Sequence, residues 1–278
     1  MVLALDDIGS GLPVVLLHAF PLSREMWRPQ REALAGVCRL ITPDLPGFGD
    51  SPLLGDSHTV ESMADAVAEA LDALGVSEPI VLGGLSMGGY VAFAFARKYP
   101  DRLRGLILAD TRAEPDDDAA KANRDKTIGL AATSPASAVV EQMLPKLLGP
   151  TTHANRPELV EQVRRIGAAQ RPAGIIAALQ GLRNRPDSRP TLGTIRVPTL
   201  IIVGREDGLT PPALAEGMEK GIAGAKLVIL DGAGHLSNLE QPVAFGEALR
   251  EFVLSLATDP APPFRVGRRD PLACSPLV

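Results

Sequence analysis

Cysteine is almost absent from this chain: Cys38 and Cys274 are the only two, too few for a disulfide framework. Aromatic residues are scarce as well, at 4% with a single tryptophan, Trp27. No run approaches the ~18 apolar residues of a membrane span. The opening stretch, Met1-Val2-Leu3-Ala4-Leu5-Asp6-Asp7, lacks the basic and long apolar regions of a secretory signal. There is no excess of positive charge either: the net charge is −5, which argues against nucleic acid as a partner. Together these absences read as a soluble, cytoplasmic protein that engages neither membrane nor nucleic acid. What is abundant is apolar sequence, 45% of 278 residues, enough to bury a large core.

The apolar residues are patterned. Residues 3–5, 13–17 and 38–42 read as strands, and residues 25–35 and 60–74 as helices, the second closed by Gly75. An apolar strand then runs through Pro79-Ile80-Val81-Leu82, a helix follows to about residue 99, and residues 105–109 form another buried strand. Alternation at this spacing predicts a mostly parallel α/β sheet flanked by helices. From Thr111 to Arg196 the alternation stops. Short helices broken at Pro135, Pro145, Pro157, Pro172 and Pro186 are expected there, with no Phe, Tyr or Trp among them. This stretch carries 13 Lys+Arg against 9 Asp+Glu, a net +4, while the remainder of the chain is −9. Strands at 197–203 and 226–230 and helices near 212–220 and 242–256 resume the pattern. The expected division is a core of residues 1–110 and 197–257, a helical cap at 111–196 and a mobile tail at 258–278.

Chemistry concentrates where strands end. Gly84-Leu85-Ser86-Met87-Gly88 joins a strand directly to a helix, the arrangement of a nucleophile elbow. The turn is so tight that side chains at Gly84 and Gly88 would strike backbone, and it lifts the Ser86 hydroxyl above the sheet. The N–H of Met87, at the helix start, points where an oxyanion would form. A serine hydroxyl needs an imidazole to take its proton, and the imidazole needs a carboxylate to fix its tautomer. His235, in Gly232-Ala233-Gly234-His235, follows the last strand, and Asp207, in Gly204-Arg205-Glu206-Asp207, follows the strand before it. Glu206 beside it and Asp110, which also ends a strand, compete with Asp207 for the acid's role.

These stretches, with His18-Ala19-Phe20-Pro21 and Asp44-Leu45-Pro46-Gly47-Phe48-Gly49-Asp50-Ser51, make the chain resemble an α/β-hydrolase of the esterase, lactonase and cofactor-free haloperoxidase group. The resemblance runs from about Leu3 to Leu256, and the cap is its least specific part. It implies the order Ser86, Asp207, His235 for a catalytic triad, with the N–H groups of Phe20 and Met87 as the oxyanion hole and no metal or organic cofactor. Pro21 keeps Phe20 out of the helical region. Two departures stand out: Ala19 replaces a glycine usual in the family, and the chain starts at what should be the second strand. His18 is expected to hold the oxyanion loop, Asp44 and Asp50 to brace the loop around Gly47 and Gly49, and His58 and His153 to lie on the surface or cap.

The activity implied is cleavage of small carboxylic esters through an acyl-enzyme. A cap without aromatics is expected to line the acyl pocket with Leu, Ile, Val and Met, favouring neutral short-to-medium aliphatic esters. A lactonase of the 3-oxoadipate enol-lactone type is the second reading, because the seven arginines from Arg156 to Arg189 offer partners for a substrate carboxylate. A solvated helix face is the simpler account of those arginines. A ligand sensor that retains the triad is the third reading.

Overall fold

The computed structural model describes residues 3–55 and 58–257. The expected tail at 258–278 lies outside the described residues. A seven-stranded sheet in the order β1-β3-β2-β4-β5-β6-β7 forms the centre of the fold. Its strands are β1 (Leu5–Gly9), β2 (Pro13–Leu17), β3 (Arg39–Pro43), β4 (Ile80–Leu85), β5 (Leu103–Ala109), β6 (Thr199–Gly204) and β7 (Lys226–Leu230). Only β1 is antiparallel to its neighbour.

The continuous apolar runs of β2, β4 and β6 are buried along their whole length, as strands covered on both faces must be. Alternation splits their side chains between two cores. Val15, Leu17, Leu82, Leu106, Leu108 and Ile201 face one core, which is closed by α2 (Val60–Ala73), α3 (Met87–Lys98) and α10 (Pro212–Gly221). Val14, Leu16, Val81, Ile107, Leu200 and Ile202 face the other, filled by Trp27, Phe245, Leu249 and Phe252 from α12 (Pro242–Ala257) and the turn before α1 (Arg28–Ala33).

The expected elements form with shifted ends. The first strand is Leu5–Gly9 rather than residues 3–5, because pairing with β3 runs from Leu5 opposite Pro43 to Gly9 opposite Arg39. Asp7 on this edge strand pairs with Arg39 at 2.7 Å, a charge that discourages further strand pairing. The helix expected at 25–35 divides into a 3-10 turn, Arg24–Trp27, and α1, with Pro29 in the first turn of α1. Thr59 caps α2 by accepting from the Ser62 N–H at 3.0 Å, and Gly75 takes a φ of 70° just beyond it.

Between β5 and β6 lie α4 (Asp118–Thr133), α5 (Ala136–Leu147), α6 (Pro150–Asn155), α7 (Pro157–Ala168), α8 (Pro172–Arg183) and α9 (Arg189–Leu192). Prolines begin α6, α7 and α8, and Pro190 is the second residue of α9, positions where a missing N–H costs nothing. Pro145 does not break the chain as expected; it sits in the last turn of α5. Both it and residue 141, whose carbonyl loses its donor, are exposed to water.

The sheet order sets the site. From β2 the chain moves outward to β3, then returns to place β4 on the other side of β2, with Leu17 beside Gly84. The loops after β2 and β4 therefore leave the sheet side by side at its switch point, where ligands bind in such folds.

Candidate active site

The elbow is built as its glycines require. A Cβ on Gly84 would lie 2.1 Å from the Gly88 carbonyl oxygen, and one on Gly88 would lie 2.2 Å from that of Leu17. Ser86 adopts φ 55°, ψ −110°, a conformation unfavourable for an L-residue. Three donors pin its carbonyl: the N–H groups of Gly89 at 2.9 Å and Tyr90 at 3.2 Å, and the Thr111 hydroxyl at 2.9 Å. The Ser86 side chain is thereby raised into a cavity while its neighbours stay buried.

Ser86 Oγ lies 2.8 Å from His235 Nε2, and His235 Nδ1 lies 2.8 Å from Asp207 Oδ2. With the Nδ1 proton directed at Asp207, the lone pair of Nε2 faces the Ser86 hydroxyl. Asp207 is itself fixed by its loop: the N–H groups of Leu209 and Thr210 donate to Oδ1 at 2.8 and 2.9 Å, and the Thr210 hydroxyl to Oδ2 at 2.6 Å. Burial opposes its ionisation, but the His235 ring and the Thr210 donors outweigh burial and hold the carboxyl below its ordinary value.

The two competing carboxylates are engaged elsewhere. Glu206 accepts from the Thr151 N–H at 3.0 Å. Asp110 is buried and accepts from the Gly204 N–H at 2.8 Å and from the Ser237 hydroxyl. Burial, followed by the charge of Asp207, pushes the Asp110 carboxyl well above its ordinary value.

Phe20 and Met87 line the same cavity as Ser86 and His235, and no acceptor among the described residues takes either N–H. His18 holds the loop that carries Phe20: its Nε2 accepts from the Leu45 N–H at 2.8 Å. Asp44 braces that neighbouring loop through the N–H groups of Arg24 at 2.8 Å and Asp50 at 3.0 Å. Asp50 itself stays exposed and pairs with Arg24 at 2.8 Å. His153 is exposed as expected, whereas His58 is buried, contrary to its surface assignment. Gly181 of α8 makes room for it, since a Cβ there would lie 1.5 Å from the His58 carbonyl oxygen.

The profile of the alpha/beta hydrolase fold matches residues 13–242. The chain belongs to that family. Among solved α/β-hydrolases it is similar to a thermophilic esterase from Thermogutta terrifontis, solved with malate bound. The identity is 46%, the TM-score 0.89, and 92% of this chain and 94% of that one are covered. It is also similar to the enol-lactonase of Burkholderia xenovorans, at 27% identity and a TM-score of 0.82, over 90% of this chain and 95% of that one. A pimeloyl-[acyl-carrier protein] methyl ester esterase of Aeromonas hydrophila is 30% identical over 91% of this chain and 100% of its own length.

In this α/β-hydrolase the cavity above Ser86 measures about 280 Å³. Its lining corrects the expected aliphatic pocket. Met143, Leu147, Leu179 and Leu182 are present, but Arg112, Asp116, Asn123, Arg124, Thr127, Gln142 and Lys146 share the wall with them. The polar residues come from the loop after β5 and from α4 and α5. None of the seven arginines from Arg156 to Arg189 reaches the cavity. Arg164, Arg183 and Arg189 pair with acids at the surface, as a solvated face would. Arg185 departs from that account: it is buried, pairs with Asp116 at 2.6 Å and lies over the Tyr90 ring.

Sequence reasoning missed Glu240, in the short helix α11 (Ser237–Glu240). Its buried carboxylate accepts from the N–H groups on both sides of His235, Gly234 at 2.9 Å and Leu236 at 3.2 Å. It also accepts from the Gly149 N–H at 2.8 Å and the Thr152 hydroxyl at 2.6 Å, which ties the histidine loop to the start of α6. No local pattern distinguishes this glutamate from a surface one. Glu240→Gln replaces an acceptor oxygen by a donor facing an N–H, at a cost of about 3 kcal/mol. Thermal unfolding is expected to show a Tm lower by about 5–10 °C; an unchanged Tm would mean the carboxylate is dispensable.

Proposed function

We propose that the protein is a carboxylic ester hydrolase that works through an acyl-enzyme on Ser86. The observation that carries this reading is the unbroken hydrogen-bond chain from Ser86 to His235 to Asp207 at the floor of a substrate-sized cavity. The esterase relatives support it. The six helices between β5 and β6 serve as a cap over the site.

Ser86 Oγ attacks the ester carbonyl as its proton passes to His235 Nε2. Asp207 orients the ring and stabilises the imidazolium that forms. The negative charge on the former carbonyl oxygen is held by the N–H groups of Phe20 and Met87; each such donor is worth about 3–4 kcal/mol in known cases. His235 then returns the proton to the departing alkoxide, leaving the acyl group on Ser86. A water molecule attacks that ester as His235 takes its proton, and collapse of the second tetrahedral adduct, with that proton passed to Ser86 Oγ, frees the acid and restores the serine. A lactone opens by the same steps with its leaving group tethered, and the structural likeness to an enol-lactonase supports that substrate as a second reading.

Steady-state hydrolysis of p-nitrophenyl acetate and butyrate tests the proposal. Continuous turnover over hundreds of cycles is expected, with kcat in the ordinary enzyme range of about 1–10³ s⁻¹. A burst of one product per chain followed by a stall would instead favour the sensor reading.

A further inference from the structure

The capping wall of the cavity is cationic. Arg112, Arg124 and Lys146 line it together with one acid, Asp116. Asp116 is buried and already accepts from three guanidiniums: Arg112 at 3.0 Å, Arg185 at 2.6 Å and Arg124. One carboxylate cannot balance three cations, and Glu114, whose Oε2 is buried without a partner, does not line the cavity. Lys146, at the cavity mouth, adds another charge and has no acceptor among the described residues. The Nε of Arg112 is buried without a partner as well. Asp117 and Asp118 are exposed at the start of α4, where Asp117 caps the Ala120 N–H at 2.8 Å, and neither lines the cavity.

Several surface arginines of the same segment are matched by acids, Arg189 by Asp187 among them. Arg164 meets both Glu141 and Glu161, and Arg183 meets Asp125. In the cavity wall, by contrast, three cations stand beside a single carboxylate that Arg185 also shares. Half-buried guanidiniums with one shared counter-ion hold an anion more firmly than exposed ones, because water screens them less. The leucines at positions 147, 179 and 182 border this cationic wall and offer an apolar bed for methylene groups.

We propose that the cavity selects esters that carry a second, free carboxylate, as in the monoesters of aliphatic dicarboxylic acids. Ser86 takes the ester end, the leucines the methylene chain, and Arg112, Arg124 and Lys146 the carboxylate. This reverses the preference for neutral aliphatic esters expected from the composition of the cap. It rests on the ester-hydrolase reading and names the substrate class for that same site.

The test compares kcat/KM for monomethyl adipate and methyl hexanoate, followed by pH-stat with the full chain at neutral pH. The anionic ester is expected to be at least tenfold better. The ratio of the two values should fall at least threefold in Lys146→Gln, whose side chain bonds to no other described residue, and be retained in Lys146→Arg. Raising the salt should reduce the ratio only in part. Turnover of both esters with methyl hexanoate equal or better would overturn the inference and leave the ester hydrolase standing. A ratio unchanged in both Lys146→Gln and Arg124→Gln would overturn it too. If neither ester is cleaved, turnover of p-nitrophenyl butyrate decides whether the hydrolase reading stands, and calorimetry with adipate decides the site. Binding to the wild type that weakens at least threefold in Lys146→Gln upholds the carboxylate site, and no binding overturns it.

Discussion

Replacing Ser86 by alanine is expected to lower kcat for p-nitrophenyl esters by about 10⁵–10⁶, the loss seen when a triad nucleophile is removed elsewhere. The fold should hardly notice. The only described partner of the Ser86 hydroxyl is His235 Nε2, at 2.8 Å, and it lies at the floor of an open cavity where water can replace it. The elbow is shaped by backbone contacts and by the bareness of Gly84 and Gly88, none of which the substitution alters. The Tm should stay within about 2–4 °C of wild type, the shift that 1 kcal/mol produces in a domain of this size. A folded Ser86→Ala protein that kept a tenth of the activity would remove Ser86 from the chemistry.

The second large effect separates two buried carboxylates that end neighbouring strands. Asp207→Asn should cost on the order of 10⁴ in kcat, because an amide cannot accept the Nδ1 proton and at the same time stabilise the imidazolium. Asp110→Asn should cost less than about threefold, a bound set by its lack of contact with His235 or the reacting atoms. An asparagine at position 110 can accept from the Gly204 N–H with its oxygen and donate to Ser237 with its nitrogen. Asparagine also tolerates the φ of 42° found there. The pH dependence follows from the raised Asp110 carboxyl. A carboxyl whose value is higher in the folded state weakens the fold as pH climbs above its unfolded value, about 3.9, because the unfolded chain then ionises more readily. Asp110→Asn removes that penalty, so its Tm should equal or exceed the wild-type Tm at pH 7–8. The opposite ranking of the two kcat losses would transfer the acid's role to Asp110.

The elbow was legible in the sequence because its constraint is local. Only glycine fits at 84 and 88, so the motif records the backbone path itself. His235 was legible for a similar reason, standing in a glycine-rich turn at the end of the last strand. The acid is less legible: Asp207 is the residue the sequence favours, but Asp110 and Glu206 also follow strands. Which of them meets the imidazole depends on where each loop turns. Asp207 is drawn in by the Leu209 and Thr210 N–H groups, Glu206 is drawn out to Thr151, and Asp110 is sealed by Gly204 and Ser237.

The cavity wall was illegible. Composition averages over a segment, whereas the lining is decided by which face of each helix turns inward. On α4 only Thr127 and Ala131 are buried, so no apolar stripe marks that face. Nothing local therefore marks Arg124 as a wall residue, and the seven arginines from Arg156 to Arg189 lie away from the cavity. His58 and Glu240 share the difficulty: each is buried by elements distant in sequence, α8 for the first and α6 for the second.

The most direct test of the account is covalent trapping. A fluorophosphonate forms a stable phosphonyl adduct only with a serine activated by its neighbours. The protein should take up one equivalent, lose ester hydrolysis in step with labelling, and yield a single modified peptide carrying the group on Ser86. Labelling should vanish in Ser86→Ala and become far slower in His235→Ala. Full activity after stoichiometric labelling, or an adduct on any other residue, would contradict the assignment of Ser86 as the nucleophile.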